Sequence, residues 1–358
     1  MTDVGPTAPT PTAPAPITLT YSDSFPPLLA QLGGGIAFST YQAGKLFLVG
    51  LDPAGDVRGV ELGFARSMGI GLSADTRQMF LATQHQIYRF DNFLAPGQVN
   101  DSGHDAVFVP RLSWVTGDLD AHDIAPGPGG RPIFVNTAFN CLATVSAGFS
   151  FRPLWRPPFV SQMVHEDRCH INGMAVKGPD ILYASIVAAS DVAGGWREAR
   201  DDGGIVMDVR TNVAVCSGLS MPHSPRLYRG RLWVLNSGRG EFGWIDIRTG
   251  TFHAIAFCPG YARGLSFAGD HALIGLSGPR DARLFQGLAL DDALAARGLS
   301  AQCGVIAVNL HSGEIVATLT VPDPIKELYD VQFLPGLRSP TAIGFRTEEI
   351  RRMIAIDG

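Results

Sequence analysis

A short strand, a Gly/Asp turn and a second, more apolar strand recur six times along this chain. The recurring starts are FARSMGIGL at 64, HDIAP at 122, HINGMAV at 170, HSPRLY at 223, YARGLSF at 261 and YDVQFLP at 329. Their spacings are 58, 48, 53, 38 and 68 residues. A period of this size describes a supersecondary unit that cannot bury its apolar face alone and must stack on its neighbours. Apolar runs such as KLFLVGL, QMFLATQ, PIFVNTA, RLWVLNS and ALIGLSG are bounded by Gly, Asp, Asn or Pro, as buried strands with tight turns are. In one clean unit HSPRLY, RLWVLNS, GWIDIR and TFHAIAF run as four strands between residues 223 and 257.

Four antiparallel strands repeated about six times predict an all-β chain, a β-propeller of four-stranded blades. The sixth unit lacks outer strands, and GIAFST, KLFLVGL and DVRGVEL near the N-terminus can supply them, closing the ring. Six blades are therefore expected. Seven is the alternative, because residues 93–117 and 341–358 fall outside the repeat. The expected organisation is a Pro/Thr/Ala-rich disordered tail over 1–24, one propeller domain over 25–345 and a C-terminal segment over 346–358.

Composition agrees with a folded, turn-rich chain: 46% hydrophobic, 17% charged and 42 glycines among 358 residues. The net charge of −5 is spread without long runs, which gives neither nucleic acid nor a membrane surface a basic patch to bind. No apolar run reaches the roughly 18–20 residues of a membrane span. The five cysteines lie far apart with no CxxC pair, so neither a zinc knuckle nor a disulfide framework is indicated. The N-terminal MTDVGPTAPTPTAPAPITLT lacks the basic start and apolar run of a signal peptide. A cytoplasmic location is expected.

In a propeller the first strand of each blade lines the axis, so matching positions form a ring. The six matched first positions are Phe64, His122, His170, His223, Tyr261 and Tyr329, three of them drawn from only nine histidines in the chain. Three imidazoles at one end of an axial tunnel predict a divalent metal site (zinc, iron or manganese) ligated by His122, His170 and His223. The alternative is that these histidines only hydrogen-bond between blades. Arg66, Arg263, Arg226 and Arg239, with Asn172 and Asn140, lie on the same face and are candidates to bind a small anionic molecule or a peptide. Tyr261, Tyr329 and Asp330 are candidates to move a proton. His165, Glu166 and Asp167 precede the third unit and read as solvated loop residues, with Cys169 packed. Two long second-to-third-strand loops, 191–204 and a helix-like 281–299, are expected on the histidine face.

Nucleotide-binding GxxxxGK[ST], GxSxG, HExxH and EF-hand patterns are absent from the sequence. On the segments HDI, NTAFNCLA, HINGMAV, HSPRLYRGRLWVLNSGRGE and YDVQFLPG, the chain from about residue 25 to 345 resembles an uncharacterised bacterial family carried as a domain of unknown function. That resemblance implies a propeller-like fold and little about activity. Two six-bladed groups are similar in site composition. The gluconolactonase and senescence-marker group holds an axial metal, and HINGMAV resembles its Asn–Gly strand start, implying Asn172 as a ligand. Its acidic ligand near the domain start has no counterpart here. The peptidyl-hydroxyglycine lyases hold axial zinc with three histidines assisted by tyrosine and arginine, an inventory similar to His122, His170, His223, Arg66, Arg263, Tyr261 and Tyr329. The function expected is thus a metal-dependent lyase, hydrolase or oxygenase. The alternatives are a lactonase-like hydrolase and a non-catalytic protein- or peptide-binding platform.

Overall fold

The computed structural model describes residues 18–278 and 287–356. Six antiparallel sheets follow one another around an axis. From the inside outward, blade 1 is Ile70–Leu72, Gln78–Ala82, Gln86–Asn92 and Ala106–Val115. Blade 2 is Ala121–Pro126, Pro132–Asn136, Cys141–Thr144 and Arg152–Trp155. Blade 3 is Ile171–Lys177, Asp180–Ile186, Gly204–Asp208 and Val213–Leu219. Blade 4 is Pro222–Tyr228, Arg231–Asn236, Glu241–Asp246 and Thr251–Phe257. Blade 5 is Tyr261–Ala268, His271–Ser277, Gly304–Asn309 and Ile315–Thr320. Blade 6 is closed as expected: the late strand Leu328–Pro335 pairs with Gly34–Thr40, and Lys45–Leu51 and Val57–Gly63 complete it.

The segments that raised a seventh blade are edge additions. Ala106–Val115 is the outer strand of blade 1, and Pro340–Ala342 pairs with it in parallel as a fifth strand. Thr20–Tyr21, within the expected tail, adds a fifth strand to blade 5. Residues 1–17 of that tail lie outside the described residues, and 18–24 lead directly into a helix, Phe25–Leu32.

The continuous apolar character of the second strands follows from the geometry. A blade's inner strands are covered on both faces by neighbouring blades, so alternate side chains serve two different cores. In Arg231–Asn236, Leu232 and Val234 pack toward blade 3 with Ala175 and Val206, while Trp233 and Leu235 pack toward blade 5 with Leu265 and Ile274. Each of the six interfaces between blades holds its own cluster of this kind. The outer strands lose this double cover and alternate with solvent.

Polar bonds near the axis join blade to blade. A hydroxyl closing a second strand donates to the carbonyl beside the next blade's first strand at four interfaces. These are Ser39 to Met68 (2.5 Å), Thr137 to Ile171 (2.7 Å), Ser237 to Ala262 (2.6 Å) and Ser277 to Leu328 (2.8 Å). Deeper in the axis, the Asp123 carboxylate accepts the Met174 amide (2.9 Å) and the Asp330 carboxylate accepts the Ile70 amide (2.8 Å). Backbones are close enough here to demand glycine at Gly264 (φ +74°), where a Cβ would stand 2.5 Å from the Val331 nitrogen.

The Arg226 guanidinium ties four blades together. Both its terminal nitrogens donate to Asp123, at 2.7 and 3.0 Å, and it also donates to the carbonyls of Met174 and Leu265. Breaking such a pair from one side leaves a buried carboxylate uncompensated. Arg226→Met is expected to lower unfolding free energy by about 3–5 kcal/mol in urea titrations, and adding Asp123→Asn to it should restore part of the loss. Equal stability of the single variant and the natural chain would show that the staple contributes nothing.

Candidate functional site

Four non-glycine residues with left-handed backbone stand at corresponding corners, two residues before the axial position of their strands: Arg66 (φ 51°), Asp120 (49°), His170 (55°) and Met221 (48°). These corners set the true register. The axial ring is Met68, His122, Asn172, His223, Arg263 and Tyr329, and the last five line one small cavity with Asp123, Ser224, Gly264 and Asp330. His170 is thus the counterpart of Asp120 and Met221, and Tyr261 likewise precedes Arg263. The expected ring is corrected in three blades, because matching histidine to histidine slipped blade 3 by two residues. The apolar third positions Ile70, Ile124, Met174, Leu265 and Val331 fix the alignment.

Two of these corners, Asp120 and Met221, turn a carbonyl back onto a ring histidine. His122 Nδ1 bonds the Asp120 carbonyl at 2.9 Å, and His223 Nδ1 bonds the Met221 carbonyl at 2.7 Å. A carbonyl only accepts, so the proton sits on Nδ1 and Nε2 keeps its lone pair. Burial pushes His122 down to about 4, with His170 and Arg263 acting the same way against Asp120. Burial, reinforced by Arg263, also holds His223 well below the ordinary imidazole range. Both rings are neutral at pH 7. Two buried acceptors in this shell, His223 Nε2 and Asn172 Oδ1, have no hydrogen-bond partner among the described residues. The cavity measures about 10 Å³, room for one water or one ion and not for a substrate.

His170 lies beside this shell. Its ring meets His122 edge-on, with centroids 4.9 Å apart, and stacks on Trp196 at 4.1 Å. Asp167 Oδ2 receives both His170 Nδ1 and the Trp196 indole N–H, each at 2.8 Å. Among the described residues no group of three or more His, Cys, Asp or Glu side chains is arranged to hold a metal ion. The axial cavity brings two imidazoles and one amide oxygen together with the Asp123 and Asp330 carboxylates and the Arg263 guanidinium; the partnerless acceptors His223 Nε2 and Asn172 Oδ1 could serve a cation, against which the Arg263 charge acts.

A wider mouth of about 370 Å³ opens above, lined by Tyr41, Arg66, Asp118, Asp120, Ala138, His165, Glu166 and Asp167. His165, Glu166 and Asp167, read from the sequence as solvated loop residues, do lie in a loop, with His165 and Glu166 exposed, and they line this opening. Cys169 is packed, fully buried. Arg66 is engaged by Asp118 at 3.4 Å and lies over the Tyr41 ring, facing a mouth with four carboxylates. That balance disfavours an anion at Arg66. Arg263 is buried on the axial cavity, with its guanidinium 5.0 Å from the Tyr329 ring centre.

The remaining candidates lie outside the axial cavity. Arg226 is consumed by the Asp123 staple. Asn140 is buried and accepts the Cys169 amide at 3.0 Å, while Arg239 is exposed on its loop. The Tyr261 hydroxyl donates to Asp291 at 2.8 Å and so anchors the helix Ala289–Ala296. Both insertions do lie on the histidine face, where Leu288, Leu290 and Leu294 share an apolar cluster with Trp196, Met221 and Tyr261. Residues 281–286 of the second insertion, within the expected 281–299 helix, lie outside the described residues.

Residues 23–343 match the family described as a domain of unknown function (DUF4915), and the chain belongs to that family. No curated protein matches the sequence. A chain from the crystal structure of a nidogen/laminin complex is similar with a TM-score of 0.53 and 12% identity, covering 85% of this chain and 100% of that one. A protein of unknown function from Bacteroides caccae gives 0.47 at 8% identity over 84% and 98% of the two chains. Virginiamycin B lyase from Staphylococcus aureus gives 0.39 at 12% identity over 86% and 100%. At such identities the likeness concerns the fold alone.

Asp330 carries a pH signature. Burial raises its carboxyl to about 7, with Arg226 opposing and Asp123 adding to the rise. The folded state then keeps a proton that the unfolded chain, with a carboxyl near about 4, has released. Stability should fall as pH rises from about 4 to 7, by up to about 1.4 kcal/mol per unit. Asp330→Asn should flatten that slope in melts run across this range; an unchanged slope would assign it to other groups.

Proposed function

We propose that the protein is a metal-dependent enzyme whose divalent cation is held on the propeller axis by His122 and His223, with Asn172 supplying an amide oxygen. The observation that carries this reading is the pair of neutral imidazoles locked by the Asp120 and Met221 carbonyls with Nε2 bare. Beside them are the partnerless acceptors His223 Nε2 and Asn172 Oδ1, around a cavity of ion size. Zinc, iron or manganese bound there would polarise a carbonyl or hydroxyl, or activate water. The His122 and His223 corners hold their rings oriented before any ligand arrives.

The substrate is a small polar molecule or the end of a peptide that enters by the mouth. The carboxylates of Asp118, Asp120, Glu166 and Asp167 favour a cationic or hydroxyl-rich end there. Asp330, raised to about 7 and lining the axial cavity, holds or accepts a proton near neutral pH. His170, braced by Asp167 and Trp196, packs against His122 and positions it. Cys141, Cys169, Cys216 and Cys258 are buried free thiols, which favours a reducing compartment, the cytoplasm. Among the described residues no helix is long and apolar enough to cross a membrane.

Metal analysis of the purified protein tests this. Near-stoichiometric zinc, iron or manganese is expected, lost in His122→Ala and in His223→Ala and largely retained in His170→Ala. A protein that takes up no metal on incubation, or one whose loading ignores both ring histidines, would leave the non-catalytic binding platform as the better reading.

A further inference from the structure

On the face away from the histidines, a cleft of about 620 Å³ opens between blades 2 and 3. It is bounded by the turn between the first two strands of blade 2, the outer strand Arg152–Trp155, and the Pro179–Ile181 turn of blade 3. Its floor is apolar and buried at Ile133, and its wall is Trp155, fixed by an indole N–H bond of 2.8 Å to Asn212. Arg131 and Arg152 stand on the rim, exposed, with no hydrogen bond or ion pair from either guanidinium among the described residues. The one acid on the lining is Asp180, near Arg210, which is itself paired with Asp208 at 2.8 Å.

We propose that this cleft binds a small amphipathic carboxylate, an aliphatic or aromatic acid. Its chain would lie against Ile133, Leu154 and Trp155, and its carboxylate would be held by Arg131 and Arg152. The size is that of small-molecule sites, which join apolar walls to a few placed polar groups. The charge selects the sign of the ligand: two unpaired guanidiniums over an apolar floor complement a carboxylate, bidentately at best. The site is independent of the axial cavity, since it lies at the other end of the strands and shares no residue with it.

Calorimetric titration of the full chain with decanoate, below its micelle concentration, tests the proposal, with hexanoate, octanoate and protonated decylamine as comparisons. Saturable one-to-one binding of decanoate is expected, tightening by about two- to fourfold per methylene along the acid series. Arg131→Gln and Arg152→Gln, both exposed changes that leave the fold intact by circular dichroism, should each weaken decanoate by about five- to tenfold. The double variant should lose it, whereas His122→Ala and His223→Ala should bind it normally. Equal binding of decylamine, an indifferent double arginine variant, or no saturable binding of decanoate would each overturn the assignment.

Discussion

The pairing of Leu328–Pro335 with Gly34–Thr40 is the constraint on which the axis depends. Seven register pairs join the two ends of the chain and convert a row of blades into a closed ring. Only in a closed ring do six first strands converge, and only then do Tyr329 and Asp330 face His122, Asn172 and His223. The same strand delivers the Asp330 carboxylate to the Ile70 amide, so closure and the axial bonding are one structure. The Asp123–Arg226 pair then draws blades 2, 3, 4 and 5 onto the same centre.

Local strain is concentrated where the chemistry would be. Arg66, Asp120, His170 and Met221 all adopt a backbone conformation that side chains disfavour, each at a cost of order 1 kcal/mol or more. Two of these corners return a carbonyl to a ring histidine and thereby decide which nitrogen faces the cavity. The four-stranded sheets over-determine the corners, which is how a rigid scaffold can hold two buried, neutral imidazoles, with the His223 Nε2 acceptor left without a partner among the described residues. The insertions carrying Trp196 and Leu290 pack over this end alone, so the two faces differ: one capped and rich in histidine, the other bearing an open arginine-rimmed cleft.

Much of the fold was legible because propeller strands announce themselves. Runs such as RLWVLN are apolar throughout since both faces are covered, and Gly/Asp turns separate them. Ring closure by the N-terminal strands was legible from the incomplete sixth unit. The register of the axial ring was less so. Histidine at 122 and at 170 invites alignment, yet the apolar residues two places beyond the ring, Ile124 and Met174, carry the physical repeat and put Asn172 in place. A second signal lay unread in the hydroxyl residues closing the second strands, at FST, VNT, LNS and GLS, where Ser39, Thr137, Ser237 and Ser277 bond the next blade. The mouth was not legible at all. Tyr41, Asp118 and Glu166 come from separate loops that only the closed ring brings together.

The central claim is that two ring histidines and Asn172 hold one cation on the axis. Anomalous X-ray diffraction from crystals soaked in zinc or manganese addresses it directly. A single anomalous peak at about 2.0–2.3 Å from His122 Nε2 and His223 Nε2, with Asn172 Oδ1 in the same shell, is the result expected. Crystals saturated with metal that show only a water on the axis, hydrogen-bonded to those same atoms, would contradict it.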